Sequence, residues 1–144
     1  MPGHVTTTNK GMMLMPLDVS AALWILGRLL LGLHFAWAGI HHFTALAPLT
    51  QTMAARGVPA ARAVLLIGSA FQVVWGIALI VGFWPAWAAL GLVLFTIVAS
   101  VIFVDFWNKE GDARAGAVGT WKTNFALIGG LLIAAAHSFG RTAA

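Results

Sequence analysis

From Val19 to His42 the chain reads VSAALWILGRLLLGLHFAWAGIHH, and Arg28 is the only permanent charge in that run. A helix needs about 20 mostly apolar residues to cross a bilayer. It must be a helix, because the hydrocarbon offers no water to satisfy backbone N–H and C=O groups. Three further stretches, about 63–83, 85–107 and 122–139, meet the same condition. Only 8% of the 144 residues are charged, against about 25% in a soluble domain, too few to wet a surface. The expected fold is an all-α membrane protein, a four-transmembrane-helix bundle forming one domain over 19–140, with tails at 1–18 and 141–144.

Local signals fit those bounds. Asp18 or Ser20 is placed to cap the first helix, and Pro85 suits the first turn of the third. Gly129-Gly130 in the fourth span permits close helix approach. Residues 1–18 hold one lysine and no cleavage pattern, so they read as a tail and not a cleaved signal.

The loops differ in charge. FWPAW, between spans two and three, is short and uncharged. TALAPLTQTMAARGVPAARA carries Arg56 and Arg62, while NKEGDARAGAVGTW carries Lys109 and Arg114 with Lys122 just beyond. Lys10 and Arg141 alone mark the other side. The positive-inside rule then places both long loops in the cytoplasm and both termini outside, in the periplasm of a bacterial inner membrane. Trp24, Trp84 and Trp87 fall at one interface and Trp107 and Trp121 at the other, as aromatic belts do. Trp37 and Trp75 lie deeper and are expected to pack between helices.

The absence of cysteine excludes disulfide exchange, thiolate metal sites and iron–sulfur clusters within this chain. No haem or flavin signature is present, and no metal site is expected. The basic residues are scattered singly, which suits membrane topology and not nucleic-acid binding.

Ionisable groups inside spans usually face the bundle interior or a cavity, and here they can be weighed singly. Arg28 either snorkels to the near headgroups or turns inward toward an anion or a quinone carbonyl. His34 and His41 share a helix face, with His42 nearer the face of Arg28; the alternatives are ligand contacts or polar groups at a membrane edge. His34 with His137 is the one pairing that could hold a haem. Gln72 is level with His34, and a hydrogen bond between them would satisfy both. Asp105, in VDFWN, and Lys122 and Asn124, in WKTN, reach the same membrane face as His41 and His42. An Asp105 pair with Lys122 or a histidine would lessen the cost of burying either charge.

These segments resemble the DoxX family of small four-helix bacterial membrane proteins. The resemblance runs from Gly27 to Gly140 through GRLLLGLHFAWAGIHHF, MAARGVPAA, GIALIVGFWPAWAALGLVLFTIVAS, DFW and KTNFALIGGLLIAAA. It implies a four-helix bundle related to thiosulfate:quinone oxidoreductase subunits and to membrane complexes of oxidative stress and thiol metabolism. Arg28, Asp105 to Trp107, Lys122 and Asn124 match polar positions of the family. His41-His42 stands where the family often has Gly-Lys, and Gln72 where it often has glutamate.

Together these readings favour a membrane subunit of a quinone-linked oxidoreductase or redox-stress complex, catalytic or accessory, that binds quinone or lipid inside the bundle. Its candidate binding residues are Arg28, His34, Gln72, His41, His42, Asp105, Lys122 and Asn124. A non-catalytic scaffold docking a soluble protein is the alternative, and a homo-oligomer suits either. A small-solute carrier fits less well, since paired broken helices are absent from the pattern.

Overall fold

The computed structural model describes residues 10–142, with side chains over 19–141. Its elements are α1 (Lys10–Thr44), α2 (Leu46–Ala55), α3 (Ala61–Val81), α4 (Pro85–Phe103), a 3-10 turn (Phe106–Asn108) and α5 (Gly111–Thr142). No strand occurs among the described residues. Four segments are long and apolar enough to cross a membrane: Val19–Thr44, Ala61–Val81, Pro85–Asn108 and Gly111–Arg141. The protein is therefore an all-α, multi-pass membrane protein built as a four-helix bundle.

The packing begins with α1 against α3. Lipid tails are as apolar as leucine, so helix pairing in a bilayer relies on close van der Waals fit and not on water exclusion. Gly32, Ala36 and Gly39 form a small-residue stripe on α1 facing Ser69, Val73, Gly76 and Ile80 of α3. A Cβ on Gly76 would stand 2.7 Å from the Ala36 backbone nitrogen and 3.0 Å from the Gly32 carbonyl oxygen. On Gly39 it would meet Val73 Cγ2 at 2.7 Å. The two backbones are in direct contact, and only glycine permits that spacing.

This finding relocates the close approach expected at Gly129-Gly130. Nothing lies within 4 Å of a Cβ on Gly129, and Gly130 meets Leu31 at an ordinary 3.6 Å. Trp37 differs as well: it is 71% exposed and faces lipid. Its neighbour Ala36 occupies the α3 contact, and one residue along a helix turns the side chain away by about 100°. Trp75 packs against the core as expected, beside Phe35, Leu79, Leu92 and Leu131. Leu30, Ile67, Leu94 and Ile133 point outward, as a lipid-facing surface requires.

Helix ends depart from the expected bounds. α1 already runs from Lys10, so positions 18 and 20 lie inside it and not at its start, while residues 1–9 and 143–144 of the expected tails lie outside the described residues. The loop after α1 contains α2, which the sequence reading treated as a connection. Gly82, with φ of +79°, ends α3, and Trp84, with φ of +45°, leads into Pro85 at the first turn of α4. The residue before a proline is disfavoured in the right-handed helical region by the ring, and in this tight hairpin Trp84 takes up the left-handed one. α5 spans 32 residues, about 48 Å at the helical rise, against a hydrocarbon core of about 30 Å. Its first turns, from Gly111, project past the bundle.

Two substitutions separate packing from composition. Gly76→Val should lower unfolding stability in detergent by about 1–3 kcal/mol, since overpacking here displaces backbone. Gly129→Ala should leave it unchanged or raise it slightly, as alanine favours an open helical position. Thermal unfolding of the two variants checks the contrast.

Candidate functional site

The end of the bundle beneath α2 holds a half-open cavity of about 420 Å³, within the range of small-molecule sites. Helical spacing builds its walls. His34, Ala38 and His42 recur every fourth residue on α1, Leu65, Ser69 and Gln72 line one face of α3, and Thr96 and Ser100 line α4. Asn124 and Leu127 come from α5, while Leu49 and Met53 of α2 lie across the top. α1 and α5 touch at Leu31–Gly130 and Trp24–His137, in the half of the bundle away from α2. The cavity occupies the other half.

Most of the wall is apolar, with polar groups forming short chains. Thr96 Oγ1 donates to the Leu92 carbonyl at 2.7 Å, and Ser100 Oγ donates to the Thr96 carbonyl at 2.6 Å. Such bonds to the carbonyl four residues back let hydroxyls sit inside a helix bundle. Asn124 Nδ2 donates to Ser100 Oγ at 2.7 Å and ties α5 to α4. Ser69 Oγ shares a hydrogen with His42 Nδ1 at 3.3 Å and ties α3 to α1. Gln72 is 4% exposed, and its Oε1 has no hydrogen-bond partner.

The eight candidate residues divide evenly. His34, His42, Gln72 and Asn124 line the cavity. Gln72 and His34 are on the same cavity, but the expected bond between them is not formed. His34 is exposed at the rim, packed edge-on to Phe35, while Gln72 points inward. His41 is exposed, turned away from its neighbour His42.

Asp105 does not pair with Lys122. Its Oδ1 lies 2.5 Å from Arg56 Nη2 and 3.6 Å from Lys109 Nζ. α4 ends at Phe103, and the 3-10 turn that follows brings Asp105 to Arg56 at the end of α2. Trp121 Nε1 donates to the Val104 carbonyl at 2.5 Å, serving the unwound backbone. Because α5 starts at Gly111 and not near Lys122, that lysine is three turns into the helix and exposed.

Arg28 is at the opposite end. Its guanidinium fills the space beneath Gly82 where a side chain would stand, beside the C-terminal end of α3, whose partial negative charge favours a cation. Its Nε is buried without a partner. His137 shares that end, stacked on Trp24 with ring centroids 4.4 Å apart, so His34 and His137 do not form a haem pair. No group of three His, Cys, Asp or Glu side chains stands together among the described residues.

Ser69, Thr96 and Ser100 were missed as site residues. The signal was present: Ser69 precedes Gln72 by three residues, and Thr96 and Ser100 are four apart in an otherwise apolar helix.

A family model for DoxX matches residues 23–105, well over half the chain. The chain belongs to the DoxX family. The match covers the apolar part of α1 through α4 and ends at Asp105, so the DoxX match includes three cavity residues of the eight, His34, His42 and Gln72, and leaves Asn124 beyond it. The resemblance read from the sequence had continued into α5. No curated protein and no solved structure matches the chain.

The ion pair gives a direct test of the α2 tether in this DoxX protein. Asp105→Asn and Arg56→Gln should each destabilise, and the double variant should lose less than the sum of the two. Lys122→Gln should stay within about 0.5 kcal/mol of the parent. Denaturation of the parent and the four variants in one detergent checks these outcomes.

Proposed function

We propose that this DoxX protein is the integral membrane subunit of a quinone-linked oxidoreductase or redox-stress complex, and that the cavity under α2 holds the head of a quinone or a similar lipid. Gln72 carries the reading: a buried amide oxygen without a partner, on the wall of a mostly apolar cavity, is a group that gains by meeting a polar ligand head. The apolar remainder of the wall, with exposed leucine, isoleucine and valine side chains around the bundle, suits an occupant that arrives from the bilayer and not from water.

His42 and Ser69 sit between that cavity and the membrane face formed by α2 and the ends of the long helices. They are the groups placed to hold or pass a proton near an occupant's oxygen, while Asn124 and Ser100 fix the opposite wall. A quinone would supply electron-accepting chemistry; the chain supplies an apolar slot, hydrogen-bonding groups and shielding from water. Electrons would come from a soluble protein. Arg62, Arg114 and Lys122, all exposed on the α2 side, give it a basic surface, and by the positive-inside rule that side is cytoplasmic.

The projecting start of α5 favours a second reading, a non-catalytic scaffold that grips its partner by those turns. Purification in mild detergent, followed by solvent extraction and mass spectrometry, separates the two. The expected result is stoichiometric quinone with the parent protein and with Lys122→Ala, and a reduced quinone content in a folded Gln72→Leu variant. Bulk phospholipid alone in every preparation would leave the scaffold as the function.

A further inference from the structure

The hydrogens of the cavity wall are largely committed. Thr96 and Ser100 each donate to a backbone carbonyl, Asn124 donates one amide hydrogen to Ser100, and Ser69 donates to His42 when the ring carries its proton on Nε2. Gln72 is the exception, with an acceptor left over. Rotating its amide exchanges the positions of oxygen and nitrogen but leaves the same valences to satisfy: one acceptor and two donor hydrogens.

We infer that the cavity selects a head group bearing a hydroxyl beside Gln72, and, resting on the quinone reading above, that it favours the hydroquinone over the fully oxidised quinone. A carbonyl head accepts only. It can take a hydrogen from the Gln72 amide nitrogen, yet it leaves the amide oxygen buried and unpaired. A hydroxyl donates to the oxygen and still accepts through its own lone pairs, so one group meets both needs. An unmade bond on a buried acceptor weighs more than a made bond contributes, and it is this asymmetry that sets the preference. Phe35, Leu65 and Phe95 on that wall carry no side-chain donor, and the hydroxyls of Thr96 and Ser100 are already engaged with backbone carbonyls.

Binding of matched probes to the detergent-purified full chain tests this, with calorimetry under anaerobic conditions as the readout. The probes are a decyl-chain hydroquinone, the corresponding quinone, and an isoprenoid alcohol, farnesol. The hydroquinone should bind about 3- to 10-fold tighter than the quinone, the range one neutral hydrogen bond spans. Gln72→Leu should remove the difference to within about twofold, and Gln72→Met serves if the leucine variant does not fold. Equal or tighter binding of the oxidised quinone by the parent protein would overturn the inference while leaving the quinone reading intact. Binding of farnesol with neither quinone form would uphold hydroxyl selection and remove the quinone reading. Failure of all three probes would overturn both.

Discussion

Everything in this bundle hangs on the meeting of two backbones. Where α1 and α3 cross, Gly32, Ala36, Gly39 and Gly76 bring main chain against main chain, and in a solvent as apolar as the side chains that closeness is the chief source of attraction. A helix pair held so tightly at its middle has little freedom to adjust elsewhere. The α4–α5 pair is joined differently, by apolar packing of Ala88, Ala89 and Leu92 with Leu131, Ala134 and Ala135 and by the Asn124–Ser100 hydrogen bond. The cavity is where these two pairs do not close on each other, and α2 lies across the gap.

Around the cavity most polar groups follow one rule, that a buried donor or acceptor needs a partner where water cannot serve. The hydroxyls of α4 turn back on their own helix, and the indole of Trp121 serves the carbonyl freed where α4 unwinds. Asp105 finds Arg56 and Lys109, and a carboxylate of this burial would be strongly unfavourable alone. Against that background Gln72 stands out, because the same fold that serves its neighbours leaves its oxygen unserved. The chemistry assigned to the cavity grows from this single difference.

Much of this was legible in the residues. Apolar length sets the four crossings, and the matching depths of His34 and Gln72 put those two residues on one cavity, although the helical pattern reads His41, and not His42, onto the face of His34. What stayed hidden was rotation and continuity. His41 and His42 are adjacent, and no pattern of apolar residues tells which of them faces in. Asp105 had several cations within reach; the unwinding of α4 after Phe103 and the early start of α5 decided for Arg56 over Lys122. Small residues were read at Gly129-Gly130 because two glycines adjoin there, yet a tight crossing needs them on one stripe, as Gly32, Ala36 and Gly39 are.

The uninterrupted course of α5 has a mechanical meaning. One rigid rod runs from the projecting turns at Gly111, past Trp121 held to Val104, to Asn124 in the cavity wall. A helix transmits rotation about its axis with little loss over so few turns. A protein that seats on the outer end therefore holds a lever whose fulcrum is Trp121 and whose short arm is the Asn124–Ser100 link. Torque applied at that end is felt at the cavity wall, with no break in the helix to absorb it.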